Sequence, residues 1–126
     1  MRKLIKVLFV LCMALFVMSF LGCRFAPLSI EEAKSNLENA GYEVKIVDGS
    51  TFVDSEENPY PFIFASELEK YLVATKDSEE IHMYFFYNVD QASNNYSMMT
   101  NSKLSSGQNN QLVYFGTKQA IKDAGL

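Results

Sequence analysis

Histidine is nearly missing from this chain: of 126 residues, His82 alone carries an imidazole. One histidine excludes a multi-histidine metal site and the H-E-x-x-H arrangement, in which two imidazoles one helical turn apart share a zinc ion. Cysteine is almost as scarce, with only Cys12 and Cys23, both near the N-terminus. Beyond Cys23 the chain therefore has no disulfide of its own and no thiol nucleophile. No serine stands in a G-x-S-x-G elbow, and the six glycines form no phosphate-cradling loop. The paired carboxylates Glu31-Glu32, Glu56-Glu57 and Glu79-Glu80 fall at expected helix starts and turns, where solvated charge accounts for them. His82 lies amid strand aromatics with no partner evident for general acid or base work. The expectation is no catalytic constellation, no cofactor and no metal ligand set.

What the chain does have is a charged start and one long apolar run. Arg2, Lys3 and Lys6 are followed by Val7 to Leu21, interrupted mainly by Ser19, and the run ends Phe20-Leu21-Gly22-Cys23. Its length also suits a membrane helix, so its end arbitrates: a basic start, an apolar middle and a small residue at the cut define a secretory signal. Gly22-Cys23 at the close of such a run resembles the lipobox of bacterial lipoproteins, with Phe20 standing where that family usually has an aliphatic residue. The resemblance covers the first 23 residues and identifies a processing route. It implies cleavage before Cys23, diacylglycerol on the Cys23 sulfur, and a domain held at the extracytoplasmic face of the cell membrane. Two acyl chains suffice for stable attachment. Residues 1–22 are then a signal peptide, 23–28 a lipidated tether containing Pro27, and 29–126 one small domain.

Cleavage removes three of the 11 basic residues and none of the 15 acidic ones, leaving 104 residues with a formal charge near −7. That length suits a single core. That charge repels nucleic acid and anionic lipid head groups, so membrane contact beyond the anchor is not electrostatic.

Ser29-Ile30-Glu31-Glu32 has the form of a capping box. Ile30, Ala33, Leu37 and Ala40 then recur at helical spacing up to Gly41. Tyr42 to Val47 alternates, and Asp48-Gly49 before Thr51-Phe52-Val53 predicts a tight hairpin. Asp54 to Pro61 reads as a loop, Ser66 to Lys70 as a short helix, and Tyr71 to Thr75 with Glu80 to Asn88 as a second hairpin turning at Lys76-Asp77-Ser78. Val89, Ala92, Tyr96 and Met99 share one face of a helix reaching about Thr100. Ser102 to Gln111 reads as a flexible loop, Leu112 to Phe115 as a strand, and Thr117 as the cap of a last helix to Ala124. No internal repeat is present. The class is α+β: a mainly antiparallel sheet of about five strands with helices packed on one face, in the order α-β-β-β-β-α-β-α.

Alternation in Ile81 to Tyr87 sends Ile81, Met83, Phe85 and Tyr87 to one side and His82, Tyr84 and Phe86 to the other, so both faces are apolar. If helices cover only the first, then Tyr71, Val73, His82, Tyr84 and Phe86 form an open binding surface. Alternatively the Pro61 to Ala65 segment or the N-terminal hairpin folds over them and makes a second core. Asp48, Asp54, Glu56 and Glu57 offer oxygen ligands for Ca²⁺, without the EF-hand spacing. Two function classes follow. One is a membrane-tethered binding or interaction module, using the aromatic face or the Phe62–Phe64 region to hold an envelope protein or ligand. The other is an enzyme or enzyme accessory acting on cell-envelope material. Convergence of acidic side chains beside Tyr60 and His82 separates the two.

Overall fold

Helix α1, Ile30–Asn39, begins where Ser29, in extended backbone, accepts a hydrogen bond from the Glu32 amide at 3.1 Å, with Glu31 and Glu32 opposite the positive end of the helix dipole. It ends in a Schellman turn. Gly41, at φ +93°, donates its amide to the Glu38 carbonyl, and the Tyr42 amide reaches the Leu37 carbonyl at 2.9 Å. The structure, a computed structural model, describes residues 27–126; the signal peptide, Cys23 and most of the tether expected from the sequence lie outside the described residues.

After α1 come β1 (Glu43–Asp48), α2 (Gly49–Val53), β2 (Leu68–Lys76), β3 (Glu79–Phe86), α3 (Val89–Tyr96), β4 (Ser105–Asn109), β5 (Leu112–Gly116) and α4 (Lys118–Ala124). The strands form one antiparallel sheet in the order β1-β2-β3-β5-β4. The α+β class, the five strands and the antiparallel pairing agree with the sequence reading. Tight turns at Asp77 and Asn110, each at φ 54°, close the β2–β3 and β4–β5 hairpins.

Three segments differ from their expected form. Thr51–Val53 is helical and does not return as a strand, because β1 pairs with β2 over six residues, Glu43↔Thr75 to Asp48↔Lys70. That ladder is longer than any three-residue hairpin arm offers. Gly49 is not at positive φ; it is there for room, since a Cβ would lie 1.8 Å from the Leu68 carbonyl oxygen. Gly49→Ala must therefore push β2 away, and its urea midpoint should fall by the equivalent of about 1–3 kcal/mol. An unchanged midpoint would show that β1 and β2 are not held so close. Ser105–Asn109, polar throughout, is an edge strand and not a loop: it pairs with all of β5, and the Tyr114 ring lies over Gly107. Of the Ser66 to Lys70 segment, Ser66 and Glu67 form a turn and Leu68 to Lys70 enter β2, so it is no helix.

The helices also occupy both sides of the sheet, where one was expected. On the first, Leu72, Ala74, Ile81, Met83, Phe85 and Leu112 pack against Ala33 and Leu37 of α1 and Ala120 and Ala124 of α4. On the second, Leu68, Tyr71, Tyr84, Phe86, Val113 and Phe115 pack under Phe52 of α2, Tyr60 and Ile63 of the following loop, and Ala92 and Met99 of the α3 region. A strand buried on both faces cannot alternate in polarity, which explains the unbroken apolar reading of Met83 to Phe86. Both cores are built from residues between Leu28 and Leu126, so a chain beginning at Pro27 carries all of this packing. Among the described residues no helix is long and apolar enough to cross a membrane.

Candidate functional site

The five residues expected to form an open aromatic surface do share one face of β2 and β3, with Tyr71 paired to Tyr84 and Val73 to His82. They do not form an open surface. Tyr71, Tyr84 and Phe86 are 5%, 3% and 1% exposed. Phe52 stacks on Tyr71 with ring centres 3.8 Å apart, and Tyr60 meets Tyr84 edge-on at 5.8 Å. Ile63, from the Pro61 to Ala65 segment, adds to the cover. The physical reason is area: leaving three aromatic rings in water forgoes roughly 25 cal/mol for each Å² of apolar surface, and a loop able to fold back recovers it.

The cover is incomplete over His82, whose side chain keeps 27% of its exposure. A cavity of about 80 Å³ remains there, walled by Tyr60, Tyr71, Tyr84 and Phe115, with His82 beside them and Glu57 and Asn101 contributed by loops. The histidine is not the partnerless residue the sequence implied. Its Nδ1 lies 2.6 Å from the Tyr71 hydroxyl, a diagonal neighbour across the strand pair, and its Nε2 lies 3.1 Å from Glu80 Oε2, two residues back on the same strand face. A carboxylate only accepts, so Nε2 carries a proton, and in the neutral ring Nδ1 accepts from the Tyr71 O–H. The Tyr60 hydroxyl donates to the Thr100 carbonyl at 3.2 Å. Tyr84 differs from both: its hydroxyl has no hydrogen-bond partner among the described residues, although the side chain is almost wholly buried and lines the cavity.

Burial, followed by the charges of Glu57 and Glu80 and by Tyr60, raises the pKa of Tyr71 far above that of a free phenol. Burial, then Tyr71 and Tyr60, does the same for Tyr84. Tyr71-His82-Glu80 has the connectivity of a nucleophile, a base and an orienting acid, but an activated nucleophile needs a proton that leaves easily. Here the surroundings hold the proton on the phenol. The chain of hydrogen bonds fixes the rotamers of Tyr71, His82 and Glu80.

Elsewhere the acidic residues do not gather. Asp48 pairs with Lys70, Glu57 belongs to the aromatic cavity, and among the described residues no group of three or more metal-binding side chains forms. The Ca²⁺ alternative on Asp48, Asp54, Glu56 and Glu57 thus has no assembled site. A wider cavity of about 350 Å³ lies beside the start of α1, between Pro27 to Glu31 and Glu69, Lys70, Phe85 and Gln111. The exposed apolar residues Phe64, Tyr87 and Val89 are at that end too, tied there by the Tyr87 amide on the Glu67 carbonyl at 3.0 Å and Gln111 on the Tyr87 carbonyl at 2.8 Å.

Glu80 was missed as a partner for His82, although its spacing of two on the same strand face is the signal that could have found it. Glu57, Asn101 and Phe115 were not, since they reach the cavity from two loops and from β5 through tertiary folding. No protein-family model, curated protein or solved structure matches the chain.

Proposed function

We propose that this chain is a lipoprotein held by diacylglycerol on Cys23 at the extracytoplasmic face of the cell membrane, and that its domain is a binding module whose contact point is the cavity at Tyr84. The anchor rests on the basic start, the apolar run and the Gly22-Cys23 ending. The observation carrying the binding reading is the cavity of about 80 Å³ that the folded-back loop leaves beside His82, where the Tyr84 hydroxyl reaches solvent and makes no hydrogen bond among the described residues, so that an entering group can take it up.

The position of the domain start supports the anchored reading. Three residues separate Cys23 from Pro27, four Cα–Cα steps that reach at most about 14 Å. The sheet end next to Pro27, with Phe64 70% and Tyr87 54% exposed, would then lie at the bilayer interface, where aromatic rings are favoured. His82 is four strand residues from Phe86, roughly 13 Å back from that end, and stays accessible to the periphery.

The second reading, an enzyme or accessory acting on cell-envelope material, has the Tyr71-His82-Glu80 chain in its favour and the raised Tyr71 pKa against it. Expression of the full chain in a bacterial host tests the anchored reading. Wild type should sediment with membranes and Cys23→Ala should show no lipid modification and no cleavage before residue 23. Identical processing of the two chains would remove Cys23 as the anchor.

A further inference from the structure

We infer that the cavity walled by Tyr60, Tyr71, Tyr84 and Phe115 receives the head group of an organic cation, an ammonium or a guanidinium, with Glu57 as its counter-charge. The inference deepens the binding reading above by naming the ligand chemistry.

Three features select the charge. The walls are aromatic side chains, Tyr60, Tyr71, Tyr84 and Phe115, and a ring face turned to the cavity carries a negative quadrupole that attracts cations within about 6 Å. Glu57 adds a carboxylate from an exposed loop position, while no lysine or arginine lines the cavity. The hydrogen-bond directions also leave acceptors inside: in the neutral-ring arrangement the Tyr60 and Tyr71 protons are committed to Thr100 and His82, so their oxygens present lone pairs. An anion entering here would meet the Glu57 charge and ring faces, with only the Tyr84 hydroxyl and the Asn101 amide as neutral donors. The whole chain beyond Cys23 reinforces the sign, with eight basic against 15 acidic residues.

The volume selects the size. A cavity of about 80 Å³ is small for a ligand pocket and suits an alkylammonium tip or a guanidinium better than a nucleotide. The ligand therefore enters by its cationic end and leaves the rest outside, as a lysine or arginine side chain or a polyamine would. Tyr84 supplies orientation: its unpartnered oxygen accepts one N–H, and Glu57 at the rim accepts another.

The test uses the isotope-labelled domain from Pro27, titrated with n-butylammonium, with guanidinium, and with sodium acetate at matched ionic strength, following amide and tyrosine-ring NMR signals. Saturable shifts confined to Tyr84, His82, Glu57 and Asn101, in the millimolar range appropriate to so small a ligand, are the expected result with the cations alone. Glu57→Gln should weaken the cation response at least fivefold with the spectrum of the folded domain intact, and Tyr87→Ser, at the other end of the sheet, should leave it unchanged. A capped lysine peptide and spermidine, compared next, distinguish a protein side chain from a free polyamine as the source. Saturation by acetate at the same residues would overturn the cation assignment while leaving the cavity as a binding site. Absence of saturation with every probe would overturn both the assignment and the binding reading.

Discussion

Phe52→Ala should lower the stability of the domain by about 3–5 kcal/mol, the cost of emptying a large aromatic site. Phe52 is 2% exposed and belongs to a five-residue helix that holds little structure of its own. Its ring stacks on Tyr71 and meets Tyr84 edge-on at 5.8 Å, so truncation removes dispersion and quadrupolar contacts with both and opens the second core to water. Stability in domains of this size is roughly 5–15 kcal/mol in total, and the melting temperature should drop by on the order of 15 °C. A drop of only a few degrees would show that α2 and the loop to Phe64 do not hold the sheet face closed. In that event Tyr71, Tyr84 and Phe86 would again be candidates for an open surface.

Alkaline pH should unfold the domain in one cooperative step. Burial raises the phenol pKa of Tyr60, Tyr71, Tyr84 and Tyr114, and raises that of Tyr42 to about 12, helped by its hydrogen bond to Asp123 at 2.8 Å. A group whose folded pKa lies above its unfolded value contributes stability that is fully present below the unfolded pKa, near 10 for tyrosine, and lost as pH rises through the folded value. Above about pH 10 the unfolded chain can release these protons while the folded chain holds them, so the equilibrium moves toward unfolding. Phenolate absorbance and far-UV circular dichroism should therefore change together. Tyr84→Phe removes one of the buried phenols and should move the step to higher pH. Separate transitions by the two probes, with phenols ionising inside a folded domain, would contradict the burial assigned to Tyr71 and Tyr84. The acid side carries the opposite sign: the bond from Tyr42, followed by one from Gln119, holds the Asp123 carboxyl below its usual range. Whatever that pair contributes is present above the unfolded carboxyl pKa and lost as pH falls through the folded one.

The parts of the fold that could be read from residues alone are those in which local chemistry and tertiary packing agree. Ser29, Gly41 and Asn88 sit where helices start or stop, and each makes the backbone bond its type favours. The β2–β3 hairpin announced itself by β-branched and aromatic density around a polar turn. Misreadings came where one residue type serves two purposes. Gly49 follows Asp48 as a hairpin glycine would, yet the backbone of Leu68, and not a left-handed turn, demands its missing side chain. Ser105–Asn109 looks like a loop because an edge strand buries little and needs no apolar side chains, only backbone partners on β5.

The candidate site was half legible for the same reason. Strand alternation placed Tyr71, Val73, His82, Tyr84 and Phe86 on one face, and the structure keeps them there. Whether that face met solvent depended on where residues 54–67 travel, a long-range question that no local pattern answers. Their return converts a broad aromatic surface into a small cavity and brings Tyr60 and Glu57 to it. The proposed contact point changes accordingly, from a flat docking face to a cavity of about 80 Å³.

Intact mass of the detergent-extracted chain is the most direct test of the central claim, that this domain works from a lipid anchor on Cys23. The account predicts a species lacking residues 1–22, beginning at Cys23 and heavier than its peptide by a diacylglycerol group, with no such species from Cys23→Ala. A full-length chain of unmodified mass in the membrane fraction would contradict it, and would make the N-terminal segment a retained helix and Cys23 a free thiol.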